Sequence, residues 1–422
     1  MITLSLGFLV VLTLLGLPLF LVLLCFAILG LYTNGVNYQT VFIEVLRLAD
    51  TPLLIAIPLF TFAGYLLAQG GTSKRLVRLT QAILGWLPGG LAVVALVVSA
   101  FFTAITGATG ITIVALGGFL LPTLIEGNYQ ERFSLGLVTI SGSLGLHFPP
   151  SLPVILFGFV SGVSIKELFV GGLIPGLLIL GLCCALAIIM GKKWTRDTGT
   201  ISSHVPLLPA LKDAVWELSI PILVLAGIYN GVVTATEAAS LVVVYVLLIK
   251  RFVFKEISIR KDLIPIVTES MKMVGAIMVI LAASLGLTNY FVDAFVPMKL
   301  LQLIQGLVRT RIGFLISLNL FLILVGCMMD IFSAILVVVP LIMPLARQFA
   351  VNPVHLGIIF IANLAIGYNT PPVGLNLFIA SGRFNQPLTR VYRATLPFLA
   401  VLFISLLLIT YFPGISLILL KH

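Results

Sequence analysis

Long apolar segments, separated by short polar loops, run along almost the whole of this chain. Each is about 20 residues long, enough for a helix to cross a bilayer, and lacks the strict alternation of a barrel strand. The pattern predicts an all-α polytopic membrane protein. The predicted full spans are 2–31, 41–69, 133–161, 168–191, 213–231, 236–250, 262–290, 353–381 and 395–420.

Composition supports this class. Of 422 residues, 60% are hydrophobic and 9% are charged, against about 25% charged in soluble domains. A net charge of +10 would suggest nucleic acid in a soluble protein, but here it reflects Lys and Arg in cytoplasmic loops, and no nucleic-acid partner is predicted. The first segment has no basic region or cleavage site, so we expect a retained helix. The four cysteines lie in apolar segments without metal-ligand spacing and are predicted to be buried thiols: Cys25, Cys183, Cys184 and Cys327.

The basic loops predict a topology. All of them face the cytoplasm if segments 91–122 and 314–344 enter the membrane and return to the same side as re-entrant hairpins. The N-terminus is then cytoplasmic, while Arg309, Arg311 and Arg347 face outward against the rule. The basic clusters are Lys74–Arg75–Arg78, Lys192–Lys193–Arg196, Lys250–Arg251–Lys255–Arg260–Lys261 and Arg383–Arg390–Arg393.

Two apolar segments are interrupted by a Pro-Pro pair. The first reads GLHFPPS over 145–151, and the second reads GYNTPPV over 367–373. Open backbone in lipid costs several kcal/mol per unpaired group, so such breaks occur where a cavity or a ligand site is needed. Matched breaks in two halves of a membrane protein indicate the binding site of a transporter.

The two halves repeat with one spacing. Four pairs of residues are each 222 positions apart: Gly64 and Gly286, Pro122 and Pro344, Gly145 and Gly367, and Pro149 and Pro371. We interpret 41–191 and 262–422 as two copies of one unit, each with a hairpin and a broken helix (133–161 and 353–381). An odd number of spans separates the copies, so they are inverted repeats, which serve alternating access. Segment 1–40 is predicted to be a scaffold helix, and 192–261 to contain the linking scaffold helices.

The predicted tip of the first hairpin is rich in small polar residues. It contains Thr103, Thr106, Gly107, Thr109, Gly110 and Thr112. Gly permits a turn and exposes carbonyls, and Thr hydroxyls are oxygen ligands, so we interpret the tip as an ion or substrate site. The alternative is that these small residues only allow close helix packing.

Three ionisable residues allow either a functional or a structural interpretation. Asp330 in the second tip, GCMMDIFS over 326–333, either ligates a cation or carries a proton, or caps the following helix. Glu237 follows a short turn beside a possible capping Thr, which favours a structural role. His147 in the first break is either a structural residue or one that contacts substrate or senses pH.

Several chemistries have no motif here. The chain has no Walker lysine, no metalloprotease or nucleophile-elbow motif and no paired intramembrane acids, so an enzyme is not predicted. It also lacks a chain of Asp, Glu and His across the bilayer. Neutral oxygen ligands suit Na⁺, and we therefore favour sodium over proton coupling.

Five strings resemble one family. They are PLFTFAGYLLAQGG (58–71), SAFFTAITGATG (99–110), GSLGLHFPPSLPVILFG (142–158), GVVTATEAAS (231–240) and NLAIGYNTPPVGLNLF (363–378). They are similar to the large membrane subunit of tripartite ATP-independent periplasmic (TRAP) transporters, over almost the entire chain. This sequence departs from the common pattern in its threonine-rich tip and in His147, which stands where an apolar residue is more usual.

The resemblance implies an elevator-type, Na⁺-coupled importer of organic acids, of the C4-dicarboxylate or sialic acid type, in the bacterial inner membrane. It implies a periplasmic substrate-binding protein and a separate small four-helix membrane subunit as partners, and two or more Na⁺ per substrate. The alternative is a stand-alone Na⁺- or H⁺-coupled organic anion symporter that needs no binding protein.

The resemblance also assigns site residues. The first half-site would contain Thr103, Thr106, Gly107, Thr109, Gly145, His147, Pro149 and Pro150. The second would contain Gly326, Asp330, Ser333, Gly367, Asn369, Thr370 and Pro371. The Na⁺ ligands among them would be Thr103, Thr106, Gly145, Gly326, Gly367 and Thr370.

Overall fold

A computed structural model describes residues 19–33, 43, 46, 55–84, 89–194, 206–258, 261–293, 310–371 and 374–420. Within these ranges the chain forms helices and turns and contains no strand, which confirms the all-α prediction. Several predicted features lie outside the described residues. They are the start of the predicted first helix, residues 41–54 of the predicted second span except 43 and 46, and the residues Arg196, Arg260, Arg309 and Pro372.

The first half contains nine helices within the described residues. They are α1 (Leu19–Thr33), α2 (Ala56–Ala68), α3 (Thr72–Leu84), α4 (Gly90–Thr106), α5 (Thr109–Ala115), α6 (Gly117–Glu126), α7 (Glu131–Ser141), α8 (Leu152–Ser161) and α9 (Ile165–Trp194). A 3₁₀ turn, Leu144–His147, lies between α7 and α8. The predicted first hairpin corresponds to α4 with α5 and α6, and the predicted first broken helix to α7 and α8.

The linking helices are α10 (Leu207–Tyr229) and α11 (Ala235–Leu248). The second half contains α12 (Leu263–Asp293), α13 (Arg311–Met328), α14 (Ile331–Gln348), α15 (Pro353–Gly367), α16 (Leu375–Phe384), α17 (Leu388–Tyr411) and α18 (Gly414–Leu417). The second hairpin corresponds to α13 and α14, and the second broken helix to α15 and α16. Both hairpins extend beyond their predicted ends, because Pro122 and Pro344 lie inside helices rather than at their ends.

Helix ends in the two halves follow the 222-residue spacing closely. The start of α5 at Thr109 corresponds to the start of α14 at Ile331, and the end of α6 at Glu126 corresponds to the end of α14 at Gln348. The start of α7 at Glu131 corresponds to the start of α15 at Pro353. The same order of elements therefore occurs twice, while the inverted orientation of the copies stays a prediction.

Within the described ranges, length and apolar composition identify four helices that can cross a membrane, α9, α13, α14 and α17, or up to six if two bent helix pairs each count as one span. The bent pairs are α5 with α6, at 48°, and α7 with α8, at 44°. Each arm of the second hairpin is 18 residues, or about 27 Å. Length alone therefore does not separate a re-entrant arm from a span.

Two helix pairs join parts of the chain that are distant in sequence. Helix α1 packs against α12 of the second half, and α11 packs against α2 of the first half, while α2 and α12 also contact each other. These four helices form a unit that we call the scaffold. The hairpins, the broken helices and α9 and α17 pack on one another in a second group, within a core that extends from α2 to α17.

An ion-pair cluster joins the ends of the scaffold helices α2 and α11 to the neighbouring helices α3 and α10. The guanidinium of Arg75 contacts Glu217 at 2.6 Å and also pairs with Glu256. The ammonium of Lys250, which is 1% exposed, lies 2.8 Å from Glu256 and donates to the Gln69 carbonyl at 2.6 Å. The cluster thereby connects α3, α10 and the end of α11.

Caps define several helix starts. Thr234 and Glu237 form a reciprocal capping box at α11, which gives Glu237 the structural role that the sequence favoured. Asn352 caps α15 by accepting from the backbone of Val354 at 2.9 Å, and Pro353 follows at the first helical position.

Candidate substrate and ion site

The first hairpin tip is a tight turn held by hydroxyl and backbone contacts. Helix α4 ends at Thr106, and Gly107 adopts a left-handed conformation with φ 68° before α5 begins. The Gly107 amide donates to the Thr103 carbonyl at 2.8 Å. The Thr103 and Thr112 hydroxyls lie 2.7 Å apart, so they connect the two arms across the turn.

The first break packs directly onto this tip. A Cβ added to Gly145 would lie 2.2 Å from the Ala100 carbonyl oxygen and 2.6 Å from the Thr103 Cβ. A Cβ on the nearby Gly142 would lie 2.8 Å from the Thr109 carbonyl oxygen. The structure therefore brings the predicted residues Thr103, Thr109 and Gly145 together. Pro149 and Pro150, joined by a cis peptide, complete the break before α8.

The second break and second tip meet in the same way. A Cβ added to Gly367 would lie 2.4 Å from the Gly326 carbonyl carbon. The Gly374 amide donates to the Cys327 carbonyl at 3.1 Å. Gly145 faces Ala104, and Gly367 faces Gly326. Both members of the second contact lie 222 positions after the corresponding members of the first, so the contact itself is repeated.

Asp330 caps α14. Its Oδ1 accepts from the backbone amides of Phe332 and Ser333, both at 3.0 Å, and the Ser333 hydroxyl donates to Oδ2. Of the two interpretations of Asp330, the capping geometry is present. Whether Asp330 and Ser333 also bind an ion stays a prediction.

Three buried polar side chains connect the two breaks. The Asn369 Nδ2 donates to the Ser143 hydroxyl at 3.0 Å, and the Asn376 Nδ2 donates to the same oxygen at 2.8 Å. Asn369 was predicted from the sequence. Ser143 and Asn376 were missed because they lie just outside the two Pro-Pro breaks, although both lie inside the strings that resemble the family. This contact makes the two half-sites one continuous region.

Several buried polar atoms of the described chain have no partner, and those of Thr106, His147 and Ser151 belong to the first tip and the first break. Among the described residues they include Thr61 Oγ1, Ser99 Oγ, Thr106 Oγ1, Ser151 Oγ, both His147 ring nitrogens and Asn376 Oδ1. Buried polar groups in native proteins are nearly always satisfied, so these atoms are positions at which a water, an ion or a ligand can bind. At the second break Thr370 is satisfied, since its hydroxyl donates to the Ile366 carbonyl at 2.8 Å.

His147 lies in the 3₁₀ turn and is 1% exposed. The Ile358 backbone faces its ring, but the geometry falls short of a hydrogen bond. A Cβ on Gly172 of α9 would lie 2.6 Å from the His147 carbonyl oxygen, so α9 packs closely over the break. The structure places His147 within the site region and leaves its role a prediction.

Two other features do not compete with this region. A cavity of about 570 Å³ between α10 and α11 is lined mostly by apolar side chains, with Asn230 and Tyr245 among them, and lies away from both tips. Within the described residues no group of three or more His, Cys, Asp or Glu is arranged to hold a metal ion. The candidate ligands at the first tip are neutral hydroxyl and carbonyl oxygens, and the second tip adds the Asp330 carboxylate.

Sequence comparisons identify the family. Residues 6–415 match the model described as "Tripartite ATP-independent periplasmic transporter, DctM component". The C4-dicarboxylate TRAP transporter large permease protein DctM of Rhodobacter capsulatus is 30% identical over 97% of this chain and 97% of its own length. The ectoine/5-hydroxyectoine large permease UehC of Ruegeria pomeroyi is 33% identical over 97% of this chain and 96% of its own.

The isethionate TRAP transporter permease DctMQ of Oleidesulfovibrio alaskensis is 36% identical over 87% of this chain, which spans 58% of that relative's length. Among solved structures, the YdaH transporter of Alcanivorax borkumensis shares the fold, with a TM-score of 0.58 over 87% of this chain and 88% of that chain at 13% identity. The family that the motifs suggested is confirmed: the chain belongs to the DctM component of the tripartite ATP-independent periplasmic transporters, the large permeases of these systems.

Proposed function

We propose that this chain is the transporting subunit of a Na⁺-coupled importer of organic acids in the bacterial inner membrane, and that it works by an elevator mechanism. The observation that carries the proposal is the close packing of each helix break on a hairpin tip, with unpartnered buried oxygens at the first tip. Broken helices that meet at one place are the arrangement on which transporter binding sites are built.

Sodium, as co-transported cargo, fits the chemistry of the first tip. The hydroxyl oxygens of Thr106 and Ser151 are buried and have no hydrogen-bond partner within the described residues. A neutral hydroxyl oxygen binds a hard cation without losing a proton, so these groups suit Na⁺ better than a proton. The predicted Na⁺ ligands in the second half, Gly326, Gly367 and Thr370, would form a second Na⁺ site. This agrees with the expectation of two or more Na⁺ per substrate.

Backbone dipoles are proposed to recognise the substrate carboxylate. The ten-residue helix α8 begins beside the first tip, and its N-cap Ser151 makes no capping hydrogen bond. The free amides of such a helix start attract an anion. Relatives are named for C4-dicarboxylates, isethionate and ectoine, and we retain the C4-dicarboxylate or sialic acid class for this chain.

Unequal contacts of the two halves support an elevator. Helix α2 packs against α4, the first arm of its hairpin, whereas its counterpart α12 packs against α14, the second arm. Gly64 covers the first tip so closely that a Cβ would lie 2.7 Å from the Thr106 Cα. Thr106 is 1% exposed, while its counterpart Met328 is 61% exposed. Exchanging these two arrangements between the halves would move the hairpins relative to the scaffold.

A small membrane subunit and a periplasmic binding protein are the proposed partners. In support, the chain belongs to a family described as one component of a tripartite periplasmic transporter. The alternative, a stand-alone symporter that needs no binding protein, predicts full uptake by this chain without a soluble component.

The deciding experiment is uptake in proteoliposomes that contain this chain and its small subunit. Labelled C4-dicarboxylates and sialic acid are offered with and without binding protein, under a Na⁺ gradient or a pH gradient. We expect uptake only with both Na⁺ and binding protein. Full uptake without binding protein would favour the stand-alone symporter, and uptake driven by the pH gradient alone would contradict sodium coupling.

A further inference from the structure

Asn376 has a buried oxygen that no group in the described chain satisfies. The side chain lies in the first turn of α16 and is 0% exposed. Its Nδ2 donates to the Ser143 hydroxyl at 2.8 Å and lies 3.4 Å from the Asn369 Oδ1. The contact with the Asn369 oxygen favours this orientation, because rotating the amide by 180° would place two amide oxygens 3.4 Å apart. It leaves Oδ1 on the opposite side, where it has no partner among the described residues.

Asn376 also lies beside the first hairpin tip, although it belongs to the second half. Its partner Ser143 follows Gly142, which approaches the Thr109 carbonyl oxygen. Ile379, three residues further along α16, lies so close to Gly110 that a Cβ there would stand 2.7 Å from the Ile379 Cδ1. The second half thus places one amide oxygen beside the Thr109–Gly110 side of the first tip, and the same tip carries the unpartnered Thr106 hydroxyl.

An amide oxygen accepts hydrogen bonds and ligates cations, but it repels a carboxylate. Asn376 Oδ1 is therefore unsuited to the acidic group of the substrate and suited to a hard cation. We propose that Asn376 is a direct ligand of the transported sodium ion at the first tip, and that Ser143 positions its amide. This inference rests on the proposed sodium coupling and adds a ligand from the opposite repeat.

Such a ligand has a consequence for coupling. Asn376 follows the second break, and Ser143 lies at the first. A cation that binds Asn376 Oδ1 would hold α16 against the first tip and so join the two halves at the ion. Sodium would then order both breaks together before the substrate arrives.

The test is Na⁺-dependent stabilisation of the purified chain with its small subunit, without substrate or binding protein. The melting temperature is followed as NaCl replaces choline chloride at constant ionic strength. Removing one ligand of a charged group should raise the half-saturating Na⁺ concentration of Asn376→Ala by about tenfold or more. Asn376→Asp keeps a ligand oxygen and should stay within about threefold of the wild type, while Ser143→Ala should show a smaller shift than Asn376→Ala.

Asn319→Ala is the matched control. Asn319 is also buried, but its Oδ1 accepts from Asn363 at 2.8 Å and its Nδ2 donates to the Thr410 hydroxyl at 3.2 Å. This variant should lower the melting temperature without moving the Na⁺ midpoint.

An unchanged midpoint in Asn376→Ala would overturn the ligand assignment alone. A wild-type protein without any Na⁺ response would instead overturn the sodium coupling of the proposed function. If Asn376→Ala does not fold, a wild-type midpoint in Ser143→Ala overturns the positioning role, and a loss of the Na⁺ response in a folded Asn376→Asp overturns the ligand assignment.

Discussion

Gly367 and Gly326 are in direct backbone contact, at a distance that leaves no room for a side chain: a Cβ on Gly367 would lie 2.4 Å from the Gly326 carbonyl carbon. Gly367→Ala should therefore force the second break away from its tip, at a cost of about 1–3 kcal/mol, and should abolish uptake. Gly382→Ala in α16 is the control, because nothing lies within 4 Å of its Cβ. Uptake and the melting temperature of both variants are compared, and normal uptake by Gly367→Ala would contradict the close contact.

Thr106→Ala tests the first tip as an ion site. The Thr106 hydroxyl is buried and unpartnered, so its removal should weaken Na⁺-dependent uptake far more than expression. Thr139→Ala removes an equally buried hydroxyl that donates to the Leu135 carbonyl of its own helix at 2.7 Å. That variant should keep the Na⁺ dependence of the wild type, measured as uptake against Na⁺ concentration. Identical Na⁺ curves for both variants would argue against an ion at Thr106.

Substitutions of Asp330 can distinguish a capping role from an ion-binding role, because Asn removes the charge of the side chain but can still cap the helix. Asn is as good an N-cap as Asp, whereas Ala removes the cap at a cost of about 1 kcal/mol. If capping is its role, Asp330→Asn should keep most of the uptake and melting temperature, and Asp330→Ala should lose stability. Loss of Na⁺- or proton-driven uptake in a well-folded Asp330→Asn would show that the carboxylate itself is needed.

Glu256 should make scaffold stability sensitive to acid. Burial raises the pKa of its carboxyl, but hydrogen bonds from Arg75 and Lys250 lower it more, to about 2. Because the folded pKa lies below the ordinary value of 4.5, the stabilisation is complete above that value and is lost as pH falls towards 2. Melting temperatures between pH 7 and pH 3 check the effect.

Neutralising the same carboxyl by Glu256→Gln leaves Lys250 buried without an anionic partner, which should cost about 3 kcal/mol. Glu269→Gln breaks the exposed pair with Lys272 and should cost less than about 0.5 kcal/mol. Equal losses in the two variants would mean that the cluster does not stabilise the scaffold.

The exposure of Met328 can show whether the two halves exchange their contacts with the scaffold during transport. In a variant without the four native cysteines, Met328→Cys should react quickly with a maleimide and Thr106→Cys slowly, as their 61% and 1% exposures indicate. Adding Na⁺ and substrate with binding protein should slow the first reaction and speed the second. A disulfide between Gly286→Cys and Met328→Cys should form under the same conditions, since Gly286 corresponds to Gly64. Rates that change in the same direction would contradict an elevator.

Much of the architecture was readable because its signals are strong and local. Helix breaks at Pro149 and Pro371 and a constant spacing predicted two hairpins and two broken helices, and helix bounds at Thr109 and Ile331 follow that spacing. Proline was a poor guide to helix ends, however. Pro122 and Pro344 lie inside α6 and α14, where kinks and neighbouring helices tolerate a lost hydrogen bond.

The candidate site was only partly predictable. Thr103, Gly145, Gly326 and Gly367 stand out because small or polar residues are unusual in an apolar segment, and the structure brings them together in pairs. Ser143 and Asn376 are uncharged residues 233 positions apart. Their contact depends on how the halves pack, which no local pattern records.

The contact between α1 and α12 has a consequence for the synthesis of the chain. Helix α1 ends at Thr33 and α12 begins at Leu263, 230 residues later. At about 5–20 residues per second, the ribosome needs roughly 10 to 50 seconds to cover that distance. During this time α1 resides in the bilayer without its final neighbour, shielded only by lipid or by the insertion machinery. Truncated or stalled chains that end before Leu263 should thus expose α1 and be recognised by membrane quality control.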